Sequence, residues 1–196
     1  MHLYAEMFDA VRSLLEERGR VIVAIEGRCG SGKTTLAALM AKEFDSSIFH
    51  MDDFFLPPYM RTADRLAEPG GNVHYERFLS EVIEPLLEGR QVCFRPYVCS
   101  KAIFGGEVCI ESKKLSIVEG SYSLHPCLRY AYDLKVFLTV DPETQEKRIL
   151  QRSGPDKLKD FKRLWIPLEE HYFGELDVEG CIDMIVDTSF IEKSSS

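Results

Sequence analysis

The sequence predicts an α/β fold, a mostly parallel sheet with helices on both faces, and three features carry that prediction. Val21–Ile25, Leu115–Val118 and Leu134–Val140 are near-continuous apolar runs without in/out alternation, as expected of strands covered on both sides. Segments between them repeat apolar residues at helical spacing, as at Leu36, Leu39, Met40 and Phe44. A glycine-rich stretch joins the first strand directly to that helix. With 196 residues, 45% hydrophobic and 29% charged, the chain suits one domain over residues 1–190 with a sizeable core.

The elements follow in order. Leu3, Met7, Val11, Leu14 and Leu15 predict an amphipathic helix over 3–18, closed by Gly19. After the first strand and its helix, Ile48–Met51 reads as a second strand, and residues 57–73, with three prolines and two glycines, as a long surface loop. Phe78, Val82, Ile83, Leu86 and Leu87 give a helix, Gln91–Val98 a strand, and the Gly105-Gly106 turn a hairpin into Val108–Ile110. Asp141-Pro142-Glu143 opens a helix with an acceptor at the cap and proline at its first position. Helix continues with breaks to Phe173, and Ile182–Val186 is a last strand.

Lys plus Arg number 24 against 32 Asp plus Glu, and a formal charge of −8 argues against a dedicated binder of nucleic acid or anionic membrane. No run approaches the ~20 apolar residues of a membrane span. Six cysteines without C-x-x-C pairing or zinc-ligand spacing are expected as reduced thiols of a cytoplasmic protein. Residues 191–196 are expected to be a disordered tail, and a homo-oligomer is left open.

Gly27-Arg28-Cys29-Gly30-Ser31-Gly32-Lys33-Thr34 matches G-x-x-x-x-G-K-[ST] in full, between a strand and a helix. Glycines let successive backbone N–H groups turn inward onto phosphate oxygens, and the helix N-terminus, reaching Thr35, adds partial positive charge. Lys33 is expected on the β- and γ-phosphates and the Thr34 hydroxyl on magnesium. This predicts nucleoside triphosphate binding, which switches, motors and kinases share. A guanine-nucleotide switch would carry N-K-x-D, but Asn72 is the only asparagine and lies in no such stretch.

Parallel strands deliver their C-terminal ends to one edge, that of the phosphate loop. Asp52 and Asp53 end the second strand there, and either can accept the proton of an acceptor hydroxyl or cap the turn that follows. Glu119 arrives in the same way, to complete a magnesium shell or to bond the loop backbone. From Lys147 to Arg163, seven basic residues stand against two acids. Arg148 and Arg152, four apart, share a helix face, either to reach a triphosphate together or as a solvated surface.

Together, "GRCGSGKTTLA", "HMDDFF", "VEGSYSLHP" and "DLKVFLTVDPETQEKRILQR" resemble the uridine kinase and phosphoribulokinase family of P-loop kinases, over most of residues 20–187. The resemblance implies the three-layer P-loop NTPase fold and phosphorylation of a primary hydroxyl of a small molecule by ATP with magnesium, uridine or cytidine being the first expectation. It makes Asp52 the catalytic aspartate and Glu119 the acid near magnesium. Arg148 and Arg152 would open an arginine-bearing helical lid. The family's aspartate-histidine-proline stretch is replaced here by "NVHYERF", and "RPYVCSKAIF" matches its pyrimidine-holding tyrosine and histidine only at Tyr97. Asp53, Tyr59, Arg61, His74, Arg95 and Tyr97 are expected to border the acceptor, with arginines suited to an acidic or phosphorylated one. The altered stretch at 72–78 favours the competing class, a non-catalytic or partner-coupled ATP-binding protein. Asp52 with Glu119 argues against it, since neither acid is needed merely to bind ATP.

Overall fold

Helix α1 (Ala5–Arg18) packs Met7 and Val11 into the core and ends at Gly19, whose left-handed backbone (φ 74°) turns the chain into strand β1, Val21–Gly27. The computed structural model describes residues 4–190, so the Leu3 contact and the tail at 191–196 lie outside the described residues. Helix α2 is Lys33–Glu43 and strand β2 Ser46–His50. Strand β2 ends one residue before the expected boundary, because Met51–Phe54 winds into a 3-10 turn that holds Asp52 and Asp53. The long loop contains helix α3, Ala63–Ala67, capped by Thr62. Helices α4 (Tyr75–Phe78) and α5 (Glu84–Leu87) run into each other through a π turn.

The strand expected over 91–98 is two strands, β3 (Val92–Phe94) and β4 (Tyr97–Val98), because Pro96 has no N–H to continue a ladder. Strand β4 pairs with β5 (Ile103–Phe104), and β3 pairs antiparallel with β6 (Val108–Ile110). That register sets Cys93 opposite Cys109, and the two form a disulfide, which corrects the expectation of six reduced thiols. Sequence spacing shows no such pair, because only strand pairing brings residues 93 and 109 together.

Strands β7 (Leu115–Glu119) and β8 (Leu134–Thr139), helices α6 (Pro142–Asp160) and α7 (Ile166–Glu175), and strand β9 (Met184–Asp187) complete the chain. The main sheet runs β2-β7-β1-β8-β9, every neighbouring pair parallel. Alternate residues of central strand β1 feed two cores: Val21, Val23 and Ile25 pack with Leu36, Met40, Ile117 and Val136, while Ile22 and Ala24 pack with Phe49, Phe54, Phe78 and Tyr172. Glu26 continues the second parity, which points a carboxylate into an apolar layer. Two strand ends are crossed closely. A Cβ on Gly27 would lie 2.1 Å from Leu138 O, and one on Gly120 would lie 2.7 Å from Met51 Cβ, so both positions need glycine.

Candidate active site

The C-terminal strand ends surround a cavity of about 810 Å³. Its phosphate-loop end is walled by Cys29, Gly30, Ser31, Gly32, Lys33, Thr34 and Thr35. Lys33 Nζ donates to Gly27 O (2.6 Å), Arg28 O (3.1 Å) and Ser121 Oγ (3.3 Å), and Thr34 Oγ1 to Glu119 Oε1 (3.1 Å). His50 Nδ1 lies 2.5 Å from the same Glu119 oxygen, a partnership that raises the His50 pKa. Asp52 opens onto the cavity. Protein crowds its carboxyl, and the lost water raises its pKa; Lys33 opposes this and Glu119 adds to it.

Two buried acids brace this end. Glu26 accepts from the N–H groups of Gly27 (2.9 Å), Tyr122 (3.2 Å) and Leu124 (3.0 Å) and from Tyr172 Oη (3.1 Å). Burial pushes it up to about 7 against those N–H bonds and the charge of Lys33. Glu169 of α7 accepts from Cys29 N–H (2.9 Å) and Ser121 Oγ (2.5 Å). Its neighbour Glu170 holds Arg28 bidentately, turning that side chain away from the cavity toward Thr139. Arg148 lines the cavity while donating to Gly30 O (3.2 Å) and to Thr188, so it fastens the loop from behind. Arg152, also on the wall, is exposed with its guanidinium over Phe161.

Oxygen donors from Thr34, Glu119 and Asp52 suit a hard divalent cation that keeps water and phosphate as its remaining ligands. Among the described residues no group of three or more His, Cys, Asp or Glu is placed to hold a metal ion.

The chain's five-stranded parallel sheet and its covering helices superpose on known structures along nearly the whole length of the chain. The chain superposes on a possible uridine kinase from Bacillus stearothermophilus with a TM-score of 0.68, 19% identity and coverage of 95% of this chain and 100% of the other. It superposes on a presumed fructose transport system kinase from Silicibacter sp. TM1040 with a TM-score of 0.69, 24% identity and coverage of 94% and 98%. The fold is that of the P-loop kinases. In sequence, the chain is 29% identical to a probable thymidylate kinase of Pyrobaculum aerophilum over 173 residues, 81% of this chain and 84% of the relative. No protein-family model matches it.

Within this fold, the rest of the cavity wall comes from Phe55, Arg61, Leu66, Asn72, Cys99 and Tyr122 and from Phe161, Leu164, Trp165 and Leu168. Of the six residues expected there, only Arg61 lies on the wall, with its Nε tied to Leu56 O (2.7 Å). The other five stand off it. Asp53 sits in the fields of His50 and Arg77, Tyr59 is 78% exposed, and His74 caps α4 by accepting Arg77 N–H. Arg95 donates to Gly105 O, and Tyr97 is buried against Phe104. Glu26, Glu169 and Trp165 carry no motif signal, and Phe55 entered only within the "HMDDFF" stretch, with no role given to it. Position offered the one available clue, an acid at the end of an otherwise apolar strand for Glu26.

Among the described residues no helix is long and apolar enough to cross a membrane.

Proposed function

We propose that this chain is an ATP- and magnesium-dependent kinase that transfers the γ-phosphate to a hydroxyl of a small molecule, a nucleoside such as uridine or cytidine being the first candidate. The observation that carries this reading is that Lys33, Thr34, Asp52 and Glu119, from three separate segments, face one cavity at the strand ends. The loop amides and Lys33 would hold the triphosphate. Thr34 and Glu119 would hold magnesium, with Asp52 beside them, and the ion would neutralise phosphate charge when bound. Asp52, whose proton affinity is raised, accepts the proton of the acceptor hydroxyl. Arg152 meets charge developing on the phosphoryl oxygens, and Arg148 keeps the loop in place.

A second reading, transfer to a phosphate of a nucleotide, is favoured by Arg61 on the acceptor wall and by the thymidylate kinase relative. One experiment separates the two: ADP release from magnesium-ATP with uridine, cytidine, D-fructose, UMP or dTMP offered singly, beside an Asp52→Asn control. Turnover that needs a neutral acceptor and Asp52 supports the hydroxyl kinase. Turnover with UMP or dTMP alone supports the second reading, and release that ignores both acceptor and Asp52 removes the kinase role altogether.

A further inference from the structure

Residues 150–168, from the middle of α6 to the start of α7, form an arm that contains no buried residue. The residues at its two roots, Ile149 and Glu169, are both buried, and both roots meet the phosphate loop at one place. At the first root, Gln145 Nε2 donates to Cys29 O (2.9 Å), and Ile149 lies 3.4 Å from where a Gly30 side chain would begin. At the second, Glu169 Oε2 accepts from Cys29 N–H (2.9 Å). The backbone of Cys29 thus ties down both ends of the arm.

The two ties differ in kind. Gln145 uses a carbonyl, for which a phosphate has no need, whereas Glu169 uses an N–H in a loop whose N–H groups suit phosphate oxygens. Among the described residues, the backbone N–H groups of Gly30, Gly32 and Lys33 make no hydrogen bond, while that of Cys29 is taken by a carboxylate. The other Glu169 oxygen accepts from Ser121 Oγ (2.5 Å), which accepts in turn from Lys33 Nζ (3.3 Å). Glu169 therefore makes the contacts of an entering phosphate, with a loop N–H directly and with the loop lysine through one hydroxyl. All four residues line the main cavity, so carboxylate and ligand share one space. A phosphate oxygen at Cys29 N–H competes with the carboxylate for the donor and is repelled by its charge.

We propose that Glu169 is a nucleotide-sensing residue: its carboxylate keeps the place of a phosphate in the empty loop, and an entering triphosphate displaces it and frees the second root of the arm. This rests on the nucleotide-binding part of the kinase reading. The rest of α7 stays anchored, because Tyr172 and Phe173 are buried and Tyr172 Oη is bonded to Glu26. Movement is confined to the turn before Glu169. Trp165 stands there, four residues upstream on continuous helical backbone, its ring centroid 6.0 Å from that of Phe55. Filling the loop is reported in this way to the aromatic part of the wall, and by reciprocity a ligand that moves Trp165 alters the affinity for triphosphate.

Trp165 is the only tryptophan, so its fluorescence follows the arm. The probes are magnesium-ATP and magnesium tripolyphosphate, which carries no base, and the proteins are wild type, Glu169→Gln and Glu175→Gln. Glutamine can accept from Cys29 N–H and donate to Ser121 Oγ, so both contacts survive and only the charge is removed. Glu175, exposed at the other end of α7, controls for net charge. By titration calorimetry both probes should bind Glu169→Gln about tenfold more tightly than wild type, and Glu175→Gln within about twofold of it. Both probes should change wild-type Trp165 fluorescence saturably. In Glu169→Gln that change should shrink by about half or more, because a neutral amide can stay beside the phosphate and donate to it.

Equal or weaker probe binding by Glu169→Gln overturns the proposal and leaves Glu169 a simple brace. A wild-type signal indifferent to both probes, which needs no variant to read, overturns it as well. So does a signal that persists in full in Glu169→Gln, or equal tightening in Glu175→Gln. Failure of the nucleotide reading looks different: neither probe binds any of the three proteins. Failure of the kinase reading alone leaves binding and the Trp165 signal as expected, with no acceptor-dependent ADP released.

Discussion

At the phosphate-loop end of the cavity, Lys33, Thr34, Glu119 and the Cys29 N–H are bonded to groups of the same chain; the rest of the wall, with Phe55, Leu66, Leu164 and Trp165, is mostly apolar. The first end combines the loop's own turn, in which Lys33 bonds Gly27 O and Arg28 O, with braces from the distant Glu119, Ser121 and Glu169. The second is assembled by packing from the segments around residues 55–72, 99, 122 and 161–168. Its walls are mostly apolar.

The largest effects should split the two ends. Lys33→Ala should abolish both ATP binding and turnover, whereas Asp52→Asn should lower acceptor-dependent ADP release by about 10²–10⁴-fold and leave ATP affinity within about twofold. Calorimetric titration with ATP beside the ADP assay checks this, and a matching loss of ATP affinity in Asp52→Asn would erase the division.

Glu26 braces the phosphate-loop end from within the core, and its effect is on stability. Its folded pKa is raised to about 7 from the usual 4.5, mainly by burial, so the fold favours the protonated acid. Stability from this group is complete below about pH 4.5 and is lost as pH rises through about 7, roughly 3 kcal/mol over the window. Urea midpoints of wild type should therefore fall relative to Glu26→Gln between pH 5 and 8. A pH-independent gap would mean that the carboxylate ionises without cost.

The Cys93–Cys109 bridge closes a loop across 16 positions on the acceptor-side hairpins, so a reductant should destabilise the protein by about 2–3 kcal/mol. Thermal melts with and without dithiothreitol measure this, with ADP affinity of the folded protein unchanged. The smallest effect is expected from Phe55→Ala, which removes one face of the aromatic pair. Acceptor affinity should drop about five- to tenfold with ATP affinity intact, and an equal loss for ATP would show that the two ends are not separable.

The same division governs what was legible in the sequence. The sheet, both covering layers and the loop from Gly27 to Thr34 follow from hydrophobic period and from an eight-residue spacing, which act within a dozen residues of themselves. Asp52 and Glu119 were legible because parallel strands share an edge. Of the residues expected to border an acceptor, only Arg61 reaches the cavity wall. Tyr97 and His74 have suitable chemistry, but one turns into the hairpin and the other caps a helix, outcomes decided by contacts among distant segments. The hairpin break at Pro96 was readable from its missing N–H; the Cys93 pairing depended on register.

Helix α6 is interrupted at Gly154, whose φ of +82° and ψ of 172° lie outside helical geometry, with Pro155 next. Before the break, Gln145 and Arg148 bond the phosphate loop; after it, Phe161, Leu164 and Trp165 roof the acceptor. Among the described residues, no atom beyond its chain neighbours and the backbone of its own helix comes within 4 Å of where a Gly154 side chain would begin, so backbone conformation is the constraint there and room is not. The joint therefore marks a splice point: the roof can be lengthened, shortened or exchanged while the phosphate loop keeps its supports, and under the proposed kinase reading a new acceptor preference could be grafted onto an unchanged floor.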